Sequence, residues 1–187
     1  MYRKKFILGS ILVLVSFVLI AFGANQWLNE TMLRHQIIEL PCFIILGVIE
    51  ARLLSDIPKI PLEWNIAALI FIVFSLIFWM LPHSIDSSVI DSLFNRVMQI
   101  HLFLCGFLWQ LVFRSNYIEL KVLFLGMLCA MLIAGGVVMR IFNLLLCSSF
   151  NIFQQRQTGT ALLIISCLVL GYLCYLFFKK PGRSPIT

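Results

Sequence analysis

Charge is what this chain has least of. Of its 187 residues only 12% are Asp, Glu, Lys or Arg, against 61% hydrophobic, including 17 phenylalanines. That balance excludes an ordinary soluble domain, where about a quarter of the residues are charged. The spacings of common catalytic centres are missing as well. There is no Ser–His–acid order, no HExxH, no phosphate-binding glycine loop and no CxxCH haem attachment motif, so no enzyme class is indicated. The six cysteines, Cys42, Cys105, Cys129, Cys147, Cys167 and Cys174, include no CxxC pair and lie in or beside apolar runs. A zinc pattern and a disulfide framework are thereby excluded, leaving thiols that act as small apolar groups. The net charge of +6 does not indicate nucleic acid, because the basic residues stand singly between apolar runs, as they do when they orient membrane helices.

What the chain does have is long apolar runs. A membrane helix needs roughly 20 consecutive apolar residues, whereas a membrane barrel shows short alternating segments. The runs predict an all-α, polytopic transmembrane bundle forming a single domain over 1–187. Its spans fall near 6–23, 32–53, 64–81, 97–113, 122–139 and 160–178. The first follows "YRKK" and precedes "AFGANQ", which also fits a signal peptide. The length of its apolar region favours an uncleaved anchor. "SDIPKIPLE" reads as a turn, "PHSIDSSVIDSLFNR" and "RSNYIELK" as loops, and 141–153 as a helical extension with an interfacial segment. With the N-terminus inside, inner connections hold ten basic residues (Arg3, Lys4, Lys5, Arg52, Lys59, Arg114, Lys121, Lys179, Lys180 and Arg183). Outer ones hold four: Arg34, Arg96, Arg140 and Arg156. Both termini are therefore expected in the cytoplasm of a multi-pass inner-membrane protein.

This orientation gathers all three histidines at the outer face. "TMLRHQIIELPC" opens the second span and "RVMQIHLFLC" the fourth, and in each a methionine precedes a histidine by three positions. On a helix that spacing makes Met32 and His35 neighbours, and likewise Met98 and His101. Thioether and imidazole together suit Cu(I), with Cys105 as a further donor from the His101 face. Equally, both histidines can serve as hydrogen-bonding groups between helices. Glu39 lies four after His35 and either fixes its tautomer, pairs with Arg34, or marks a path through the membrane. His83 and Asp86 belong to the outer loop and stand, with Glu39 and Cys105, as alternative ligands or as groups that orient the ligands. Paired glycines at Gly135 and Gly136 permit close helix packing.

"MLRHQIIELP", "FWMLPHSID" and "RVMQIHLFLCG", in that order, resemble the CtaG-type cytochrome c oxidase assembly factors of bacteria over roughly residues 30–160. The resemblance implies a non-enzymatic role in maturing a haem–copper oxidase. Copper would be held by His35 and His101, with Met32 and Met98 beside them, and passed from a periplasmic donor to the oxidase's catalytic subunit. The chain departs from the pattern in its shortness and in having Met-x-x-His where histidine–methionine clusters are expected. Two other readings stay open: a small proton-coupled transporter using Glu39, and an accessory subunit of a membrane complex.

Overall fold

A computed structural model describes residues 2–54, 61–114, 117–141 and 146–178, with side chains from Ile7 onward. Among the described residues every element is helical: α1 (Tyr2–Val18), α2 (Asn25–Asn29), α3 (Leu40–Leu53), α4 (Leu62–Met80), α5 (Pro82–Ile90), α6 (Ser92–Arg114), α7 (Ile118–Ile141) and α8 (Ile152–Phe178). Four of them, α4, α6, α7 and α8, are long and apolar enough to cross a membrane. They contain or nearly contain the four later expected spans. The first two expected spans are helical runs interrupted by π-helical winding, at Leu19–Gly23 after α1 and at Arg34–Glu39 before α3.

The second π segment has a local cause. Pro41 offers no N–H, and its ring crowds the carbonyl four residues back. Widening the helix just before it relieves that crowding, and the Leu40 N–H reaches back five residues to the His35 carbonyl. Such π turns frequently coincide with functional positions.

One expected loop is a helix. "PHSIDSSVI" forms α5, which starts with Pro82 in its first turn after an extended Leu81, a position where proline's fixed φ and missing N–H cost nothing. Of the stretch expected to be interfacial, 146–151 is turn, and 142–145, with Asn143, lies outside the described residues. Also outside them are most of the "SDIPKIPLE" turn and, from the charge count, Lys59, Lys179, Lys180, Arg183 and the side chains of Arg3, Lys4 and Lys5.

Helix directions follow from which residues meet. Glu39 reaches Gln99 and Arg52 reaches Gln110, so α3 and α6 run parallel. Gly136 meets Gly159 while Cys129 meets Ser166, so α7 and α8 run antiparallel. Both pairs cross at glycines. A Cβ on Gly47 would strike the Phe103 carbonyl oxygen and come within 2.8 Å of the Phe107 nitrogen; one on Gly106 would strike the Ile44 carbonyl oxygen. Between lipid-exposed helices, where water cannot drive association, such backbone approach supplies much of the packing. At α7–α8 only one of the expected glycine pair does this. Gly136 lies against the Gly159 carbonyl, whereas Gly135 has ordinary clearance.

Residues from 24–39, 81–96 and 146–155 come together at one end of the bundle. At the other end, Arg114 donates to the Leu54 carbonyl oxygen at 2.9 Å.

The α3–α6 crossing yields a stability prediction. Gly106→Ala should cost about 1–3 kcal/mol, the range for overpacking a close-packed site. Thermal unfolding of the detergent-solubilised protein measures it, and Gly135→Ala, whose Cβ would make only ordinary contacts with Met80 and Leu162, should not lower the midpoint.

Candidate functional site

The polar end of the bundle is built around Glu39. Its side chain is fully buried, at 0% exposure, and so are His35 and Gln99. A carboxylate in such a place needs donors, because burying it unpaired costs many kcal/mol. His35 Nδ1 lies 2.7 Å from Glu39 Oε2, and Gln99 Nε2 donates to Oε1 at 2.9 Å. The π winding keeps the His35–Glu39 pair within one widened turn, while α6 supplies the amide from across the parallel crossing.

Gln99's orientation is not arbitrary. Arg96 donates to its Oε1 at 3.0 Å, so the amide NH₂ must turn toward Glu39 and toward Asn25 Oδ1, 3.3 Å away. Arg96 also donates to the Ala21 carbonyl oxygen in the first π segment and stacks its guanidinium 4.1 Å from the Phe22 ring centroid. The end of the first span is thus tied to the start of α6 through one arginine. Asn25 accepts further from Asn95 at 2.8 Å and from Asn29 at 3.3 Å.

His35 is surrounded by acceptors. Its Nδ1 also lies 2.9 Å from Asn29 Oδ1, so this nitrogen carries a hydrogen. Its Nε2 lies 3.1 Å from Ser88 Oγ, and that hydroxyl is 2.7 Å from the Ile85 carbonyl oxygen. With Ser88 donating to Ile85, an imidazolium satisfies every partner. With Ser88 turned to donate to Nε2, a neutral ring does. One hydroxyl rotation separates the two.

A cavity of about 690 Å³ adjoins this cluster, lined by Asn25 and Asn29 together with exposed Gly23, Gln26, Trp27 and Glu30. The two asparagines therefore face the opening on one side and the His35–Gln99 network on the other. Arg34 does not pair with Glu39. It pairs with Glu30 and lies 4.5 Å from the Trp27 ring centroid, at the rim.

His101 is differently placed. Trp79 Nε1–H donates to its Nδ1 at 3.3 Å, so Nε2 carries the hydrogen and donates to Ser75 Oγ at 2.9 Å. Ser75 in turn donates to the Phe71 carbonyl oxygen at 2.7 Å. Cys105 is buried beside the same serine.

Copper(I) requires sulfur and nitrogen donors converging on one point. Met32 packs in an apolar cluster with Ile85 and Phe150, Met98 in another with Phe43 and Leu102. No hydrogen bond or ring contact joins His35 to His101 among the described residues, and no three His, Cys, Asp or Glu side chains gather there in metal-binding geometry. Met32 and Met98 thus lie in separate apolar clusters, and His35 and His101 in separate hydrogen-bond networks. His83 is exposed.

Asp86 docks the chain that follows α7. Its Oδ2 accepts from the Ser148 N–H at 2.7 Å and the Ser148 hydroxyl at 3.0 Å, and its Oδ1 from the Ser149 N–H at 3.0 Å. Gln155 clamps the same turn from α8, donating to the Cys147 and Phe150 carbonyl oxygens at 3.1 and 3.0 Å. Partial burial works against ionisation of Asp86, but the serine hydrogen bonds outweigh it and hold the carboxyl below its ordinary value. Beneath, burial and then the Asp86 charge push the Cys147 thiol up to about 12.

Comparison of the chain with family models, curated proteins and solved structures finds no match.

Sequence reasoning missed Asn25, Asn29, Ser88, Asn95 and Gln99. Only the i, i+4 asparagines of "ANQWLNE", placed just past an apolar run, carried a usable signal.

Asp86 gives the next prediction. A depressed folded-state value means that docking is stabilised above the unfolded carboxyl value of about 3.9 and is lost as pH falls through the depressed one. Protection of the Ser148 and Ser149 amides from hydrogen exchange should therefore fade below about pH 4. Asp86→Asn should show weakened protection already at pH 7, with faster maleimide labelling of Cys147 in peptide maps.

Proposed function

We propose that this chain is a six-span protein of the bacterial inner membrane, with both termini cytoplasmic, that works as a small proton-coupled transporter with Glu39 as its proton-carrying group. The observation that carries the reading is the Glu39 carboxylate itself, fully buried and held by one imidazole and one amide, with a polar opening one asparagine away. Ionisable residues within membrane spans are costly and mark paths or partners.

The geometry supplies a route for a proton. A proton taken up at His35 Nε2 as Ser88 turns away lets the ring pass its Nδ1 hydrogen to Glu39 Oε2, leaving a neutral imidazole protonated at Nε2, while Asn29 Oδ1 orients the ring from the side of the opening. The Ser88 rotation lets the ring gain or lose its second hydrogen without breaking the Glu39 contact. Protonating Glu39 at Oε2 removes its charge and leaves Oε1 a neutral acceptor, so the Gln99 amide loses a charge-assisted hydrogen bond. The Gln99 contact joins the second span to α6, so proton occupancy would bias how the two pack. That bias is the kind of coupling a transporter requires.

Six spans are supported by the helical runs 2–23 and 32–53. At about 1.5 Å per residue each approaches the roughly 30 Å of a bilayer core. Orientation rests on the ten-to-four distribution of basic residues. The parallel direction of α3 and α6 agrees with their being the second and fourth spans.

Proteoliposomes under an imposed pH gradient provide the test. Wild-type protein should admit protons above the empty-vesicle baseline, and Glu39→Gln should lower the rate at least about tenfold, a 1.4 kcal/mol effect. Met32→Leu and Met98→Leu should leave it unchanged. Equal rates for wild type and Glu39→Gln would overturn the proposal. Copper retention abolished by His35→Ala with His101→Ala would return the reading to copper handling.

A further inference from the structure

His35 has one nitrogen that the polar opening does not serve. Its Nδ1 meets Asn29 and Glu39 and already carries a hydrogen, so an added proton goes to Nε2. That nitrogen faces Ser88 Oγ at 3.1 Å, and both residues are buried. Ile85, whose carbonyl oxygen takes the Ser88 hydrogen, is buried as deeply. Phe150 covers the ring, the two centroids 6.5 Å apart. For a proton to arrive at Nε2, one of these neighbours must move.

Phe150 belongs to the neighbour best suited to moving. Residues 146–151 form a turn rather than a helix, and two side chains hold their backbone. Asp86 accepts from the Ser148 and Ser149 N–H groups. Gln155 accepts from the Leu146 N–H at 3.2 Å and donates to the Cys147 and Phe150 carbonyl oxygens. The two clamps differ in their surroundings. Gln155 is buried, whereas the Ser148 bonds to Asp86 are exposed, where water competes for them. Segments held by solvent-exposed hydrogen bonds and few apolar contacts open locally, and gating elements are drawn from them.

Inward, the turn presents Cys147 and Phe150, which pack with Met32 and Ile85. Asp86 stands on α5 two residues before Ser88. The group that fastens the turn and the group that occupies Nε2 therefore share one short helix.

We infer that residues 146–151 are a releasable strap over His35, latched by Asp86 and plugged by Phe150, whose opening admits protons to His35 Nε2. The purpose of the strap rests on the transport reading; its cover over the ring does not. Work at the imidazole is thereby divided. Asn29 orients the ring through Nδ1 from the polar opening, and the strap governs when Nε2 is reached.

The test treats full-length protein in nanodiscs with diethyl pyrocarbonate at pH 7 and maps the modified peptides by mass. The reagent acylates the imidazole nitrogen that lacks a hydrogen, which in neutral His35 is Nε2. Exposed His83 reports the reagent, and His101, in its separate network, reports any general loosening. Wild-type His35 should react at least about tenfold more slowly than His83. Asp86→Ala removes the latch, and Phe150→Ala removes the plug while keeping the latch. Each should raise the His35 rate about tenfold relative to His101. Trp27→Ala, which widens the polar opening, should leave that ratio unmoved. Wild-type His35 reacting as fast as His83, or a ratio unchanged in both strap variants, would overturn the inference. A rise confined to Trp27→Ala would overturn it too, because access would then run through the opening. Equal proton rates for wild type and Glu39→Gln would remove the proton's destination without altering the labelling, so the two readings fail separately.

Discussion

The architecture depends on one buried carboxylate. Hydrocarbon cannot solvate Glu39, so the protein must bring donors to it, and the donors come from different elements. His35 comes from the same turn, Gln99 from α6, and behind Gln99 stands Arg96, which holds both the amide and the end of the first span. Asn25 and Asn29 then close the ring from α2. Each partner is fixed by the needs of the next, so the network has little freedom to rearrange without leaving a buried group unpaired. Connected buried networks of this sort confer specificity as much as stability.

The network could not form without the glycine crossing beneath it. Glu39 and Gln99 meet across two helices that approach to backbone contact about two turns farther along. Gly47 and Gly106 therefore serve the polar end indirectly. A larger residue at either place would separate the helices where their amide and carboxylate must touch. Apolar packing and polar pairing act on the same two helices, one setting the distance and the other the register.

The sequence revealed the helical class and the later spans, because hydrophobicity over about twenty residues is a strong and local signal. It also revealed that His35 and Glu39 share a face. Other features depended on distant partners. Glu39 was equally open to Arg34 by spacing, and only the pull of Glu30 and Trp27 on that arginine decides against it. The segment of α5 is rich in serine and acid, a composition typical of loops. It is helical because Pro82 starts it and because Ser84, Ile85 and Ser88 turn inward against the bundle. Gln99 sits between a methionine and an isoleucine and carries no local mark. Its importance arises entirely from the chain sixty residues earlier.

The two Met-x-x-His phrases look alike in the sequence, yet their environments give the imidazoles opposite chemistry. At His101 the Trp79 N–H occupies Nδ1 as a donor. Adding a second hydrogen to that ring would set two donors against each other, so the site holds a neutral imidazole in one tautomer. At His35 every fixed neighbour is an acceptor, and the one adjustable neighbour, Ser88, can serve either way. His35 is also the one in contact with an asparagine lining the polar opening and with a buried carboxylate, so the two phrases place one imidazole in a polar network and the other between an indole and a serine.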